Sequence, residues 1–315
     1  MTPIITWIFS IIAAIMLFLH GLASFSDEVS RLGGERLKKA LHELSRSDLL
    51  GAMTGAVSTA IVQSSSAVTS MAVGLVHHRT LPERAAFAIM IGANIGTTVT
   101  AWLVSMKIVG LGAIFVTISG LWTLFAPRPW RPYGKALFYF GLVFLALDLI
   151  SQALAPLAQH PLFNEWHGLL ESPVLAVIFA AIMTALVQSS SVVMGLAVLT
   201  VQQNLMAPEV AIWLIAGANI GTTSTALLAG TSLDATSRKL AVLNTCFNLL
   251  GVLMFATLLQ PVIGLILELS IAADQKVALA HTVFNLATSI VALLILPKAW
   301  PRIHRWLIRD IKVCS

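Results

Sequence analysis

Long apolar stretches alternate along this chain with short segments that carry most of its lysine and arginine. A helix needs about 20 apolar residues to cross the roughly 30 Å hydrocarbon core of a bilayer. Stretches of about that length predict some seven transmembrane helices. Their approximate positions are 3–25, 85–105, 108–126, 136–155, 211–230, 240–262 and 277–297.

Two further apolar segments, 49–77 and 174–201, are each interrupted near the centre by a polar tetrad. Such a segment either crosses the membrane once or forms a re-entrant hairpin with the tetrad at its tip. A hairpin arm of about fourteen residues reaches about 21 Å at 1.5 Å per residue, enough to bring the tip near mid-bilayer. The tetrads are Gln63-Ser64-Ser65-Ser66 and Gln188-Ser189-Ser190-Ser191.

The segment 26–48 has another pattern, because basic residues are spread among apolar ones. Leu37, Ala40, Leu41 and Leu44 recur at the spacing of one helix face. A basic helix of this kind is typical of a membrane surface. We therefore predict a separate amphipathic helix that lies at the surface after the first transmembrane helix.

The chain contains an internal duplication. Shifting it by 125 residues superimposes the two tetrads and also places Gly92-Ala93-Asn94-Ile95-Gly96-Thr97-Thr98 on an identical run that begins at Gly217. Roughly 24 of 57 positions match between 49–105 and 174–230 without a gap. Identical motifs at one common offset indicate a duplicated unit.

Positive charge selects between single crossings and hairpins, since basic loops concentrate on the cytoplasmic side. With an outside N-terminus and two hairpins, 17 of the 19 lysines and arginines lie inside, and only Lys107 and Lys276 lie outside. With single crossings the same start leaves 13 inside and 6 outside. Single crossings would make the repeats parallel, whereas hairpins make them inverted.

We therefore predict an all-α integral membrane protein of two inverted repeats, each with a re-entrant helical hairpin, and about seven crossings. The first repeat is expected at 1–125, and the second, with the C-terminal spans, at 126–297. A short basic cytoplasmic tail follows at 298–315.

Composition supports a membrane protein and excludes most soluble classes. Only 10% of the 315 residues are charged and 57% are hydrophobic, whereas a soluble domain has about 25% charged residues. We therefore expect no cytoplasmic enzyme and no nucleic-acid binder. The two cysteines, Cys246 and Cys314, have no metal-ligand spacing, and we expect no cofactor and no metal beyond coupling ions.

The tetrads have the chemistry of an ion site if they break a helix inside the membrane. Carbonyls at the end of one half-helix, with Gln and Ser oxygens, suit a hard cation. Amides at the start of the next half-helix suit an anion. The alternative is that small residues only let helices pack closely, but paired interruptions in corresponding positions are a pointer to a transport site.

The Gly-Ala-Asn-Ile-Gly-Thr-Thr runs offer a similar set of amide and hydroxyl groups. Their glycines also have the Gly-x-x-x-Gly spacing of a packing face, and both interpretations can hold. No lysine or arginine lies inside any predicted span or hairpin. An anion bound there would need hydroxyls, amides and co-bound cations such as sodium. The roles of Asp148 and His281, each within a span, stay open between ligand and structural polar residue.

At these motifs the sequence resembles the sodium/phosphate cotransporter family, the type II group and its bacterial relatives. Thr59–Ser66, Thr184–Ser191, the two Gly-Ala-Asn-Ile-Gly-Thr-Thr runs, and the related stretches Ala241–Asn248 and Ala278–Asn285 carry the resemblance. It covers residues from about 10 to 297. Many bacterial relatives continue into a soluble regulatory domain, whereas only the membrane part is expected here.

The resemblance implies sodium-coupled transport of inorganic phosphate and assigns roles to residues of the motifs. Phosphate is expected at Ser64, Ser65, Ser66, Ser189, Ser190 and Ser191. Sodium, or shared roles, is expected at Gln63, Asn94, Thr97, Thr98, Gln188, Asn219, Thr222 and Thr223.

The main hypothesis is a symporter that works by alternating access around a midplane site. It would lie in a cell membrane, expected to be a bacterial inner membrane, with phosphate, sodium ions and lipids as its partners. A sodium-independent anion channel is an alternative. A membrane phosphatase for lipid pyrophosphates is a weaker one, since neither hairpin offers an acid, a base or an arginine beside its serines.

Overall fold

The computed structural model describes residues 3–43, 45–106, 110–154 and 170–309. Within these ranges all regular elements are helical, including a 3₁₀ turn at Arg128–Trp130 and a π segment at Phe255–Leu259. The α-helices are α1 (Pro3–Glu43), α2 (Asp48–Val62), α3 (Ser65–His77), α4 (Glu83–Ser105), α5 (Leu111–Phe125), α6 (Arg131–Leu154), α7 (Pro173–Val187), α8 (Ser190–Gln202), α9 (Pro208–Thr231), α10 (Ala235–Met254), α11 (Gln260–Glu268) and α12 (Ala273–Leu307).

Six helical segments of the described chain are long and apolar enough to cross a membrane, which indicates a multi-pass membrane protein. The predicted span 108–126 is the exception, because α5 has only 15 residues and 107–109 lie outside the described residues. The six segments are 5–43, 83–105, 128–154, 208–231, 235–268 and 273–307.

The first helix differs from the prediction. The structure has one continuous helix, α1, of 41 residues where the sequence pattern suggested a span followed by a separate surface helix. Its length is about 60 Å at 1.5 Å per residue, about twice the hydrocarbon thickness. No proline interrupts the helix after Pro3, and ion pairs one turn apart, Glu28–Arg31 and Glu35–Lys38, support its second half. Leu44 of the predicted apolar face lies outside the described residues.

Both tetrads break a helix, and they do so in the same way. Gln63 ends α2 and Gln188 ends α7, each with φ 57° and ψ 26°, the left-handed conformation of a helix C-cap. Ser64 and Ser189 then take extended backbone angles and precede the first turns of α3 and α8. Serine is a preferred residue at that position because its hydroxyl can accept a hydrogen bond from a free backbone N–H of the first helical turn.

The arms α2 and α3 both pack against α4. Arg84, at the start of α4, forms two hydrogen bonds of 2.8 and 2.6 Å with Asp48 at the start of α2. At the far end, the Thr100 hydroxyl of α4 donates to Gln63 over 2.8 Å. Helix α3 then returns to α4 through the short turn 78–82. Helix α2 therefore runs parallel to α4, and α3 runs back in the opposite direction.

The second copy packs in the same register. Gly92 of α4 faces the backbone of Ala52 in α2, and Gly217 of α9 faces Val177 of α7. The helix backbones touch at these points, as the Gly-x-x-x-Gly interpretation expects. Helices α4 and α9 are also the most enclosed candidate spans, with 72% and 67% of their most apolar window buried.

The base of each broken segment is hydrogen-bonded to the start of a C-terminal helix, α10 for the first segment and α12 for the second. His77, the last residue of α3, lies 3.2 Å from Asp234, which caps α10. Gln202, at the position equivalent to His77, donates to Asp274 at the start of α12 over 2.8 Å. The two ties are alike in place, but only the first contains a histidine.

The tie at Asp234 predicts a pH-dependent contribution to stability. Burial acts to raise the pKa of Asp234, but hydrogen bonds from Ser237 and His77 outweigh it and lower that pKa below 3.8. A lowered carboxyl pKa stabilises the fold at neutral pH, and this contribution is lost as the pH falls through the lowered value. Because Asp234 is half-exposed, we expect Asp234→Asn to cost at most about 1 kcal/mol at pH 7.

Thermal unfolding of wild type and Asp234→Asn in detergent, measured between pH 7 and pH 3, checks this contribution. Asparagine can still cap α10, so the comparison isolates the charge. The difference between the two proteins should shrink toward the acidic end, as the pH approaches the lowered pKa of Asp234. A difference that persists unchanged at pH 3 would assign the effect to something other than the carboxylate.

Candidate functional site

A cavity of about 500 Å³ lies where the two helix breaks face α1. Its size is in the usual range of small-ligand sites. All six predicted serines and both glutamines contribute to its wall, so the structure brings together residues that are 125 positions apart in the sequence. The lining residues are Met16, Leu19, His20, Leu22, Ala23, Ser26, Asp27, Gln63–Ala67 and Val187–Ser191.

Two helices begin at this cavity. The first turns of α3 and α8 carry backbone N–H groups without helical acceptors, and each helix has 13 residues that align its dipole toward its N-terminus. Together they form two positive ends that suit one anion between them. In the first break the Ser64 hydroxyl accepts from the amide of Ala67 over 3.2 Å, whereas Ser189 makes no such side-chain cap.

Serine hydroxyls complete the anion-binding chemistry. Ser65 and Ser190 are the first residues of α3 and α8 and are 7% and 6% exposed. Within the described residues, no protein group is hydrogen-bonded to either hydroxyl, so both are free to donate to a ligand. Among the described residues the cavity wall has no lysine or arginine, and its titratable residues are His20 and Asp27.

The sequence prediction missed the wall formed by α1. Met16, His20, Ala23 and Asp27 are spaced by three or four residues and lie on one helix face that lines the cavity. The signal was present as two polar residues seven positions apart on an otherwise apolar face. It was weak because single polar residues near the end of a span are common, and the pairing of α1 with residues 63–67 and 187–191 is a long-range contact.

The asparagines of the duplicated run lie outside the cavity wall and pair with the C-terminal helices. The Asn94 side chain donates to Asn248 of α10 over 2.8 Å, and the Asn219 side chain donates to Asn285 of α12 over 3.0 Å. Asn248 and Asn285 end the related stretches 241–248 and 278–285. In the described part of the chain no donor reaches the side-chain oxygen of Asn94 or Asn219, which leaves these oxygens for a cation.

The threonines that follow these asparagines also lie outside the cavity wall. Each donates its hydroxyl to a backbone carbonyl three or four residues earlier in its own helix, over 2.7 to 3.1 Å. Such a hydroxyl can still coordinate a cation through its lone pairs. Their sodium roles stay a prediction; the residues concerned are Thr97, Thr98, Thr222 and Thr223.

Asp148 and His281 have different environments. The Asp148 carboxylate accepts from the backbone N–H of Gly110 over 3.0 Å and so fixes the start of α5. His281 is 2% exposed, and neither ring nitrogen has a hydrogen-bond partner in the described residues. Neither residue lines the cavity. Among the described residues, no three His, Cys, Asp or Glu side chains form a group that could hold a metal ion.

Comparison with known proteins identifies relatives. A protein of Bacillus subtilis, the uncharacterized protein YqeW, is 26% identical over 90% of this chain and 93% of its own length. The putative inorganic phosphate export protein YjbB of Salmonella typhimurium is 27% identical over 95% of this chain, which spans 55% of that protein. The human sodium-dependent phosphate transport protein 2B is 47% identical over 62 residues, 20% of this chain and 9% of that protein.

No solved structure matches the chain. A family model described as Na+/Pi-cotransporter matches residues 17–152 and again residues 148–296. The two matches follow the internal duplication, since each contains one tetrad and one Gly-Ala-Asn-Ile-Gly-Thr-Thr run. Because they cover well over half of its length, the chain belongs to the Na+/Pi-cotransporter family.

Proposed function

We propose that the protein is a sodium-coupled secondary transporter of inorganic phosphate that works by alternating access. The observation that carries the proposal is the cavity in which two helix N-termini and six serines meet, with no lysine or arginine from the described part of the chain in its wall. Phosphate presents oxygens that accept hydrogen bonds from amides and hydroxyls. The family supports phosphate as the substrate and sodium as the coupling ion.

Co-bound sodium compensates the negative charge of an anion bound in this cavity. A divalent anion away from water is strongly disfavoured unless positive charge lies close to it. Helix N-termini supply only about half a charge each. Co-bound sodium ions supply the remainder, with oxygens of Gln63, Gln188, Asn94, Asn219 and neighbouring hydroxyls as the candidate ligands. Each sodium that moves down a potential of 100 mV contributes about 2.3 kcal/mol to transport.

Helix directions support inverted repeats with re-entrant hairpins. Helix α4 runs antiparallel to α12, because Ile91 contacts Ser289 and Trp102 contacts Thr282. Helix α12 runs antiparallel to α10, which a short turn joins to α9. It follows that α4 and α9 point in opposite directions, and so do the broken segments packed on them. Two hairpins that enter from opposite faces would then meet at mid-membrane.

The proposed orientation has the N-terminus outside and the C-terminus in the cytoplasm. It places the basic turn with Arg79 and the basic residues Arg238, Lys239, Arg302 and Arg305 on the cytoplasmic side. The adjacent ends of α10 and α12 support a common side for the last four, since Lys239 donates to the carbonyl of Trp306 over 2.9 Å.

The direction of net flux follows the ion gradients in a reversible carrier. The relatives named for phosphate export and for sodium-dependent transport are compatible with one mechanism that runs either way. Purified protein in liposomes, with labelled phosphate, tests the proposal. We expect flux that follows a sodium gradient imposed in either direction and that falls at least about tenfold when choline or potassium replaces sodium.

Two results would contradict this function. Equal phosphate flux in sodium and choline would make the protein a sodium-independent channel or a carrier driven by another ion. Absence of phosphate flux in both directions, with folded protein in sealed vesicles, would exclude phosphate as the transported substrate.

A further inference from the structure

The first break contains a hydrogen-bonded pair between its glutamine and α4. The Thr100 hydroxyl donates to the side-chain oxygen of Gln63 over 2.8 Å, and the Gln63 amide donates to the carbonyl of Ala60. Both side chains are buried, with 8% of Gln63 and 5% of Thr100 exposed. The Gln63 amide group is thereby held against the end of α2 and the C-terminal part of α4.

The same pair is open in the second break. Gln188 and Thr225 hold the equivalent positions, but Gln188 is exposed to the cavity and has no hydrogen bond among the described residues. The Thr225 hydroxyl is buried without any partner in the same part of the chain. One repeat therefore has a closed glutamine–threonine pair and the other an open one.

The backbone angles of the two glutamines do not explain this difference, although only Gln63 donates its backbone N–H to the carbonyl of the residue four earlier, Thr59. Gln63 and Gln188 have identical φ and ψ angles, 57° and 26°. One turn earlier, Thr59 packs on Gly96 and Thr184 packs on Gly221, so both broken helices keep the same register on α4 and α9. We therefore expect closure at Gln188 to come from a change in its side chain, with the packing of α7 on α9 kept. A buried hydroxyl without a partner is costly, which favours closure when nothing else holds Gln188.

An open glutamine side chain can bind ions in the cavity. Its side chain reaches the cavity with both an amide donor and a carbonyl acceptor, which suit an oxygen of an anion and a cation respectively. A closed glutamine has its carbonyl committed to Thr100. Each threonine is thus a positioning residue, because its hydrogen bond determines whether the glutamine side chain is held against the helix or faces the cavity.

We propose that Gln63–Thr100 and Gln188–Thr225 form a pair of clasps that exchange states during transport. The clasp of the first repeat is closed and that of the second open in this conformation. In the opposite-facing conformation the second closes and the first opens, because inverted repeats exchange their conformations in alternating access. This inference rests on the proposed transport cycle, but it concerns Thr100 and Thr225, which lie outside the assigned ion sites.

Valine in place of each threonine tests the exchange, since it keeps the branched shape and removes the hydroxyl. Thr225→Val removes the unpaired hydroxyl of the present conformation. It also prevents the Gln188–Thr225 hydrogen bond of the opposite conformation, so it favours the present one. Thr100→Val breaks the closed clasp here and favours the opposite one. Each shift is expected to be about fivefold, the effect of one hydrogen bond.

The readout is the conformational equilibrium and not transport. Both native cysteines are replaced by serine, and a single cysteine is placed at Ala23 in the cavity wall. Its rate of modification by a membrane-impermeant maleimide is measured in oriented vesicles from the face on which the present cavity opens. Thr225→Val should raise this rate and Thr100→Val should lower it. Thr117→Val, at an exposed threonine of α5 that bonds its own helix, is the matched control and should leave it unchanged.

Opposite shifts support the clasps, and restoration of the original rate by Thr225→Ser supports the hydroxyl as their cause. Shifts in the same direction, or unchanged rates in both folded variants, would overturn the proposal. Labelling does not need phosphate or sodium flux. A failure of the proposed function would therefore appear as absent flux with intact opposite shifts, which separates the two outcomes.

Discussion

Replacing Ser190 by alanine is expected to weaken phosphate binding by about 10- to 100-fold and to remove most sodium-dependent flux at low phosphate. Ser190 is the first residue of α8, lines the cavity and is 6% exposed. Its hydroxyl has no hydrogen bond among the described residues. A hydrogen bond to a charged group contributes about 1.5 to 3 kcal/mol. Ser65→Ala should have the same effect, since Ser65 opens α3 in the same way.

Alanine suits this test because it is compatible with a helix and leaves no large void. Initial rates of labelled phosphate uptake in proteoliposomes, over a range of phosphate concentrations, give the change in KM and maximal rate. Ser10→Ala is the control, since Ser10 is an exposed helical serine that bonds only the carbonyl of Thr6. Undiminished flux in both Ser65→Ala and Ser190→Ala would end the assignment of the cavity to phosphate.

Replacing Gly92 by alanine is expected to prevent correct packing of α2 on α4. A Cβ atom at Gly92 would overlap the backbone carbonyl of Ala52, and a backbone carbonyl cannot move away as a flexible side chain can. Overpacking in a core costs about 1 to 3 kcal/mol, and a clash with backbone lies at or above the upper end. Gly217→Ala should behave alike, since its Cβ would overlap the carbonyl of Val177.

Gly74→Ala in α3 is the matched control for this packing test. A Cβ at Gly74 meets no atom within 4 Å, and alanine favours a helix over glycine by about 1 kcal/mol. Folded yield and thermal unfolding in detergent, followed by size-exclusion chromatography, should fall for Gly92→Ala and be kept or improved for Gly74→Ala. Equal stability of the two variants would show that α2 and α4 do not approach as closely as described.

The helix breaks were predictable because their cause is local. A serine at the position before a helix and a glutamine at the end of the preceding helix are adjacent in each tetrad, and the duplication showed that both copies have them. Charge asymmetry supplied the hairpin hypothesis for the same segments. The positions of Ser65 and Ser190 at helix starts needed no tertiary information.

The remaining parts of the site depend on contacts between distant segments. His20 and Asp27 belong to the cavity only because α1 packs beside residues from two other regions of the chain. The partners of Asn94 and Asn219 are selected by the register of α4 and α9 against α10 and α12. Gln188 is open whereas Gln63 is closed although their tetrads are identical, so no comparison of the two tetrads can reveal the difference.

The asparagine pairs bear on how such a duplicated protein can be divided. Asn94 is supplied by the N-terminal half of the chain, whereas its partner Asn248 is supplied by the C-terminal half. Helix α4 also packs along α12, near the opposite end of the sequence. A cut between α6 and α7 would therefore yield two fragments, of which the first keeps α2 and α3 beside its most buried helix but loses that helix's partners in α10 and α12. The copies are recognisable as halves in sequence, but their helices are interleaved in the fold.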